Sequence, residues 1–329
     1  GYSIADAQFS LSKQDISNGT AKGTDGTMGF PVLPSYTSTG GSLSVSGNTV
    51  SGTDNNGKKY SISFSNGKMM SWTYDGKKLI AAGPDFNSYR DVDNDRWISS
   101  SYSSSSSISV TSSLRESGSK ATMSVKGSAT GCSYTTDYTF YPDGTVDMKV
   151  TFSPSQSLAR IGLGMQFASG FENVEFYARG PRSNYSDRKM GSYLGRFTTT
   201  VDDMVDELIH PQTFGDHEDL RELILTNKTE GVQLGVKVGG RASFSLSHYD
   251  ETQWCKGTDK MWQTKLHWYD LTRNSQVYAH FDYMQRGLGN NSCGGDQTLS
   301  DYVCPSWGSY TYTLRFKPQS AESVNIVAE

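Results

Sequence analysis

The densest group of titratable side chains in the sequence is Asp216-His217-Glu218-Asp219, placed after Pro211 and Gly215 on what reads as a loop. An imidazole flanked by carboxylates can serve as a general acid and base, but loop charge is commonly just solvated, and the spacing favours that expectation. Asp91, Asp93 and Asp95 begin like a calcium loop. The sixth position, however, is Arg96 where the turn needs Gly, and the twelfth is Tyr102 where a bidentate Glu belongs. A turn closed by carboxylate-to-backbone hydrogen bonds is therefore expected there, with no metal. His210, His217, His248, His267 and His280 show no HxxxH or HExxH spacing, which argues against zinc chemistry. Gly287-Leu-Gly289 through Gly294 lacks the Lys and the strand-then-helix setting of a phosphate loop. Cys132, Cys255, Cys293 and Cys304 form no CxxC; they read as incidental thiols, with Cys293 and Cys304 alone near enough in sequence for a local bridge. The remaining chemical asset is aromatic. Trp254, Trp262, Trp268 and Trp307, with many Tyr neighbours, could stack on sugar rings, although core packing accounts for most Trp in a sandwich.

What positions these residues must suit a chain that is only 35% hydrophobic yet 12% aromatic, with 30 Lys plus Arg against 34 Asp plus Glu and a net charge of −4. So many rings and so little net charge exclude a disordered acidic tail. No basic surplus exists to neutralise phosphates, so nucleic acid is not an expected partner. No run of about 18 apolar residues occurs, and no helix is expected to cross a membrane. A chain of 329 residues suffices for one large β domain or two ordinary ones. Gly1-Tyr2-Ser3 shows neither Met nor a leader, so a piece of a longer protein is expected, with its compartment open between cytoplasm, periplasm and secretion.

Strand signals dominate. Tyr60, Ile62 and Phe64 alternate with polar residues before Asn66-Gly67, and Met70, Trp72 and Tyr74 alternate again before Asp75-Gly76, which predicts a meander with tight turns. Tyr138 and Phe140 lead into Pro142-Asp143-Gly144, followed by alternating Val146, Met148, Val150 and Phe152. Val232 to Val238 repeats the pattern, a Gly239-Gly240 turn follows, and Tyr310, Tyr312, Leu314 and Phe316 close the chain. Period-2 runs at short spacing predict an all-β fold, a large antiparallel sandwich with one polar face per sheet. One window differs: Thr200 with Asp203 as a capping box, then Val201, Met204, Val205 and Leu208, predicts a short helix. Residues 99–118 are Ser-rich, but Ile108 and Val110 alternate, so a loop followed by a serine-faced strand is expected. Residues 17–47, with Pro31 and Pro34, read as a linker.

Several motifs occur together in order. Glu175-Phe-Tyr-Ala-Arg-Gly180-Pro181-Arg-Ser-Asn184-Tyr185-Ser-Asp187-Arg188 resembles the Gly-Pro-x-Glu-Asn-Tyr-x-Asp-Arg run of the C-terminal, small-chain region of family 2 β-galactosidases. Phe86 through Asp93-Asn94-Asp95, Ala159-Arg160-Ile161-Gly162, Pro211-Gln212-Thr213-Phe214-Gly215 and Gly287-Leu288-Gly289 are similar to further segments of that region. Ser3 to Leu11 resembles the last strand of the immunoglobulin-like domain that precedes it in such enzymes.

The resemblance implies a galactose-mutarotase-like supersandwich over residues 48–318, with 1–16 a remnant of the upstream domain and 319–329 a tail. It also implies that catalysis lies elsewhere: a retaining double displacement run by two Glu on an upstream barrel, about 5–5.5 Å apart. Two carboxylates that the family often keeps are replaced, by Ser183 and Thr213. The Trp that in some relatives follows the Gly-x-Gly turn is replaced by Cys293 or Gly294. The expected sugar-side residues are then Asn184, Tyr185 and Arg188 of the Gly-Pro run, Cys293 and Gly294, and Tyr302 and Trp307 as the nearest aromatics. The implied role is a non-catalytic domain supporting the barrel and the rim of its site. Its expected partners are a β-galactoside through the parent enzyme, the upstream barrel and immunoglobulin-like domains, and further copies in a homo-oligomer; no cofactor is expected. A free-standing carbohydrate-binding module and an aldose mutarotase are the alternatives.

Overall fold

The computed structural model describes residues 29–92, 105–254, 266–289 and 298–321. Among them, antiparallel strands form three sheets. The first is a five-stranded meander of β1 (Ser42–Ser46), β2 (Thr49–Thr53), β3 (Lys59–Ser65), β4 (Lys68–Tyr74) and β5 (Lys77–Lys78). Its Asn66-Gly67 and Asp75-Gly76 turns take left-handed φ at both residues (48° and 81°, 51° and 75°), the conformation that two-residue hairpins with twisted strands need. β1 lies inside the stretch read as linker, and its backbone pairs with β2 throughout.

The largest sheet has nine strands in the order β13 (Tyr193–Thr200), β12 (Asn173–Gly180), β14 (Glu222–Asn227), β15 (Val232–Gly239), β18 (Tyr310–Ser320), β10 (Val146–Pro154), β9 (Cys132–Phe140), β8 (Lys120–Ala129) and β7 (Ser107–Ser117). The serine-faced strand is its edge, β7. The third sheet has the order β16 (Ser243–Tyr249), β17 (Arg273–Gln285), β11 (Arg160–Phe167) and β6 (Ile80–Asn87). After Gly239 the chain turns at Gly240 (φ 101°) and passes from the nine-stranded to the four-stranded sheet.

One hydrophobic core joins the inner faces of all three sheets. Val146, Met148, Val150 and Phe152 of β10 are at most 1% exposed, and the residues between them are polar or threonine, so the alternation that was read as sandwich packing is what buries these strands. Trp72 meets Phe316 edge to face at 5.9 Å, and Phe281 meets the same ring at 5.8 Å, which ties the three sheets together. Two local expectations are corrected. A register shift at Ser63/Phe64 advances β4, so Met69 is buried and Met70 is 57% exposed. The 200–208 window contains only a 3-10 turn, Asp202–Met204. The Thr200 hydroxyl accepts the Asp203 N–H at 3.2 Å and lies 2.7 Å from its carboxylate, but the turn is capped at Val201 with no side-chain bond, so the expected capping box is not made. Its apolar residues diverge as well: Val201 and Met204 enter the main core, while Val205 and Leu208 pack on a small Phe214–Trp254 cluster. A helix would direct all four to one face, and two separate burial sites outweigh its weak propensity.

Candidate functional site

The Gly-Pro run folds as a bracket between two neighbouring segments. Asn184 is 2% exposed; its amide donates to the Arg179 and Arg182 carbonyls (3.0 Å each), and its oxygen accepts from the Glu218 N–H at 3.1 Å. Three residues on, the Asp187 carboxylate accepts the Leu288 and Gly289 N–H groups at 3.1 and 2.7 Å, and the exposed Arg188 donates to the Gly289 carbonyl at 3.1 Å. Gly287 has to be glycine: a Cβ there would lie 2.6 Å from the Asp187 carboxyl. Its N–H donates to the Tyr302 carbonyl at 2.8 Å, and Arg90 donates to the Arg286 and Gly287 carbonyls from the other side. Tyr185 is 7% exposed, and burial pushes its phenol well above the ordinary tyrosine range.

The bracket's other arm grips Asp216–Asp219, and here the solvated-loop expectation fails. Asp216, His217 and Glu218 are at most 2% exposed. His217 exchanges both backbone hydrogen bonds with Phe244 (2.8 and 3.1 Å), and its ring packs against those of Phe176 and Phe244 with Nδ1 3.0 Å from the Arg179 carbonyl. Burial lowers its affinity for a second proton, more than that carbonyl and Asp206 restore it. Lys189 lies 2.8 Å from Asp219 and 3.2 Å from Glu218, and Arg179 pairs with Asp219 too. Burial raises Asp219, but Lys189 and Arg179 outweigh it and hold the carboxyl below its usual range. For Asp216, burial and then the nearby Glu218 and Asp282 carboxylates raise the carboxyl well above the ordinary range, with Arg160 and Ser243 offsetting only part. These groups form a buried ionic lattice, not a surface pair. Asp91 takes a backbone role: its N–H donates to the Thr213 hydroxyl at 3.0 Å and its carbonyl accepts the Thr213 N–H at 2.7 Å. Asp93, Asp95, Cys293 and Gly294 lie outside the described residues.

The side chains that do face an open space lie on the outer face of the four-stranded sheet, in a cleft of about 570 Å³. Arg160 is its pivot. Its guanidinium lies 3.0 Å from Asp282 and 3.2 Å from Glu251, and 3.2 Å from Nδ1 of His280. An arginine can only donate, so Nδ1 accepts and the His280 proton sits on Nε2, which faces Glu251 at 3.3 Å. Asn87 donates to the other Glu251 oxygen at 2.8 Å. Burial raises this carboxyl, but His280, Arg160 and Asn87 together outweigh it and keep Glu251 ionised below its usual range. Phe214 and Trp254, 5.8 Å apart, form the aromatic wall with Tyr249. Among the described residues, Glu172, Asp202 and His248 also lie close enough to share a metal. Arg273 sits against both carboxylates (2.9 and 3.5 Å) and His248 Nε2 is 2.7 Å from Glu172, so their charge is balanced within the protein.

The sequence profile of the beta galactosidase small chain matches residues 54–316. The chain belongs to that family. A β-galactosidase of Staphylococcus xylosus is 34% identical over 170 residues, covering 52% of this chain and 16% of that protein. The β-galactosidase of Actinobacillus pleuropneumoniae is 27% identical over 234 residues, 67% of this chain and 22% of that protein. The alignment thus reaches a minor part of each relative's length. Among solved structures, galactose 1-epimerase from Lactobacillus acidophilus NCFM aligns at 9% identity over 83% of this chain and 94% of its own, with a TM-score of 0.44. A galactose mutarotase-like protein from Lactobacillus casei ATCC 334 gives 12%, 85%, 100% and 0.39. Likenesses this weak carry no functional weight.

Within this small-chain member, Arg188 and Tyr302 contact the Gly287 turn, whereas Asn184 bonds to the 179–182 and 216–218 backbone. Trp307 stands 73% exposed, its carbonyl accepting the Tyr310 hydroxyl at 2.7 Å. Sequence reasoning missed the cleft. A signal was available: Tyr278, His280 and Asp282 occupy alternate positions opposite buried Val277, Ala279 and Phe281, where an ordinary solvent face would carry Ser, Thr or Lys.

Proposed function

We propose that this chain is the non-catalytic C-terminal β-sandwich of a retaining β-galactosidase, packing beside the catalytic barrel and forming part of the rim of its sugar site. The observation that carries this reading is the bracket. The side-chain polar groups of Asn184 and Asp187 bond to backbone, and the acids they help to anchor are interior, so the most family-like stretch positions a turn instead of performing acid–base work. A retaining pair needs two carboxyls about 5–5.5 Å apart with access to a sugar. Asp216 and Glu218, buried, offer no such access. Met190, Trp307 and Leu299, 90%, 73% and 69% exposed, are the apolar side chains proposed to meet the neighbouring domains or a second copy. An epimerase reading needs a histidine nitrogen free to shuttle a proton, whereas both nitrogens of His280 are engaged.

The purified chain is expected to release no nitrophenol from an aryl β-galactoside, and to leave the mutarotation rate of fresh α-galactose unchanged in a polarimeter. Turnover that disappears when a carboxylate of this chain is substituted would overturn the reading.

A further inference from the structure

The cleft does not end at its floor. A second recess of about 280 Å³ lies beside it, and Lys68 and Met70 line both. Met70 reaches this position because the register shift in β4 turns it outward, and Asp85 lines the passage with the Ser105 hydroxyl hydrogen-bonded to it. The far end is hydroxyl- and amide-rich, with Asn66 and Ser105 to Ser107.

Three features define what would lie in such a space. The floor is polar along its length, with Ser245, Tyr278, His280, Gln166 and Asn87 contributed by four different strands. At Gly164 the Asn87 side chain packs over the bare backbone, where a Cβ would lie 3.0 Å from its amide. One wall is aromatic: the half-buried Tyr249, backed by Phe214 and Trp254, which are 9% and 2% exposed. Finally, the lining cations are already paired, Lys68 with Asp85 at 3.6 Å and Arg160 with Glu251 at 3.2 Å, while Asp250 adds a further carboxylate, so nothing in the lining calls for an acidic ligand. A half-buried tyrosine ring on one side and a row of hydrogen-bonding groups on the other match a polyhydroxylated ring. An extended peptide fits less well, because the edge strand β6 carries Pro84, which has no N–H for strand addition.

We propose that the cleft and the recess form one trough that binds a neutral, β-linked hexose oligosaccharide along its length, through this chain alone. Choosing galactose as the sugar rests on the family reading above; the trough's length and polarity do not.

The test is calorimetric titration of the 329-residue chain with β-1,4-linked galactose oligomers of one to four units, and in parallel with the glucose series. Affinity is expected to rise at least tenfold from one unit to four. Tyr249→Ala should weaken every length at least tenfold, whereas Ser106→Trp, at the exposed far end, should weaken only the longer oligomers. Should Tyr249→Ala not fold by circular dichroism, Gln166→Trp, which fills the floor, replaces it with the same expectation. Absence of saturable binding in both series, equal affinity at all lengths, or a tetramer unaffected by Ser106→Trp would each overturn the proposal. Binding of the glucose series alone would leave the trough standing and count against the β-galactosidase reading, so the two can fail separately.

Discussion

Around Gly287 and on the face of the four-stranded sheet, side chains of similar chemistry are used in opposite ways. In the bracket, Asn184 and Asp187 bond to backbone amides and carbonyls, so each polar atom fixes the course of a neighbouring segment. In the cleft, Arg160, Glu251, His280 and Asn87 bond chiefly to one another, and the backbone beneath them is already satisfied by sheet pairing. The first arrangement shapes the chain; the second prepares a surface. The Gly-Pro stretch therefore marks architecture, while the surface best suited to a ligand takes only single residues, such as Phe86, Arg160 and Phe214, from the other family-like segments.

The sharpest way to break that contrast is to remove the cleft's pivot. Arg160 is fully buried and touches Asp282, Glu251 and His280. Arg160→Ala would leave buried carboxylates without their cation, a loss expected to cost about 3–5 kcal/mol in urea unfolding. A cost under 1 kcal/mol would show that the network is replaceable and that the cleft is not preorganised by it. Next in size is Asp187→Ala, which strands two N–H groups of the Gly287 turn and is expected to cost about 1–3 kcal/mol. Asp187→Asn, keeping one acceptor oxygen, should recover part of that. If both variants were neutral, the bracket would not be holding the turn.

The strands were legible because period-2 burial and Asn-Gly or Asp-Gly turns are local signals, and β3, β10 and β18 follow them residue by residue. Met70 was assigned to the buried face in place of Met69 because a register shift leaves no mark in composition. The site was less legible for a physical reason. Asp216 to Asp219 are close in sequence, which suggested a cluster, but their burial depends on β12 and β16 closing over them from distant segments. Glu251 and His280 lie 91 and 120 positions after Arg160, and the pairing of β17 with both β11 and β16 is what brings the three together. The serine-faced β7 could be read from its two alternating apolar residues; that it begins beside a recess could not.

Asp216 sharpens the contrast through pH. Its folded carboxyl titrates well above the ordinary aspartate range, chiefly through burial and then through Glu218 and Asp282. The unfolded chain therefore gives up this proton first as pH rises, so this group lowers stability progressively from about pH 4, the unfolded value, upward toward its raised folded value. Asp216→Asn is expected to raise the melting temperature at pH 7, with the gain shrinking toward pH 4. Asp219, held low by Lys189 and Arg179, works in the other direction: its stabilisation is present above its unfolded value and lost as pH falls through the lower folded one. A variant whose gain is equal at pH 4 and pH 7 would show that Asp216 contributes through packing and not through its proton.

The smallest effect belongs to Trp307. Its ring is 73% exposed, and the one hydrogen bond at this residue uses the backbone carbonyl, which any side chain leaves in place. Trp307→Ala should therefore move stability by no more than about 0.5 kcal/mol in thermal melts of this chain. A large exposed ring that does nothing for the fold is what a rim or interdomain contact requires, since its apolar area is left to be covered by something outside the chain. A loss of more than about 1 kcal/mol would instead make the ring part of the sandwich edge, and the bracket side would then lack the exposed aromatic on which its sugar-rim role depends.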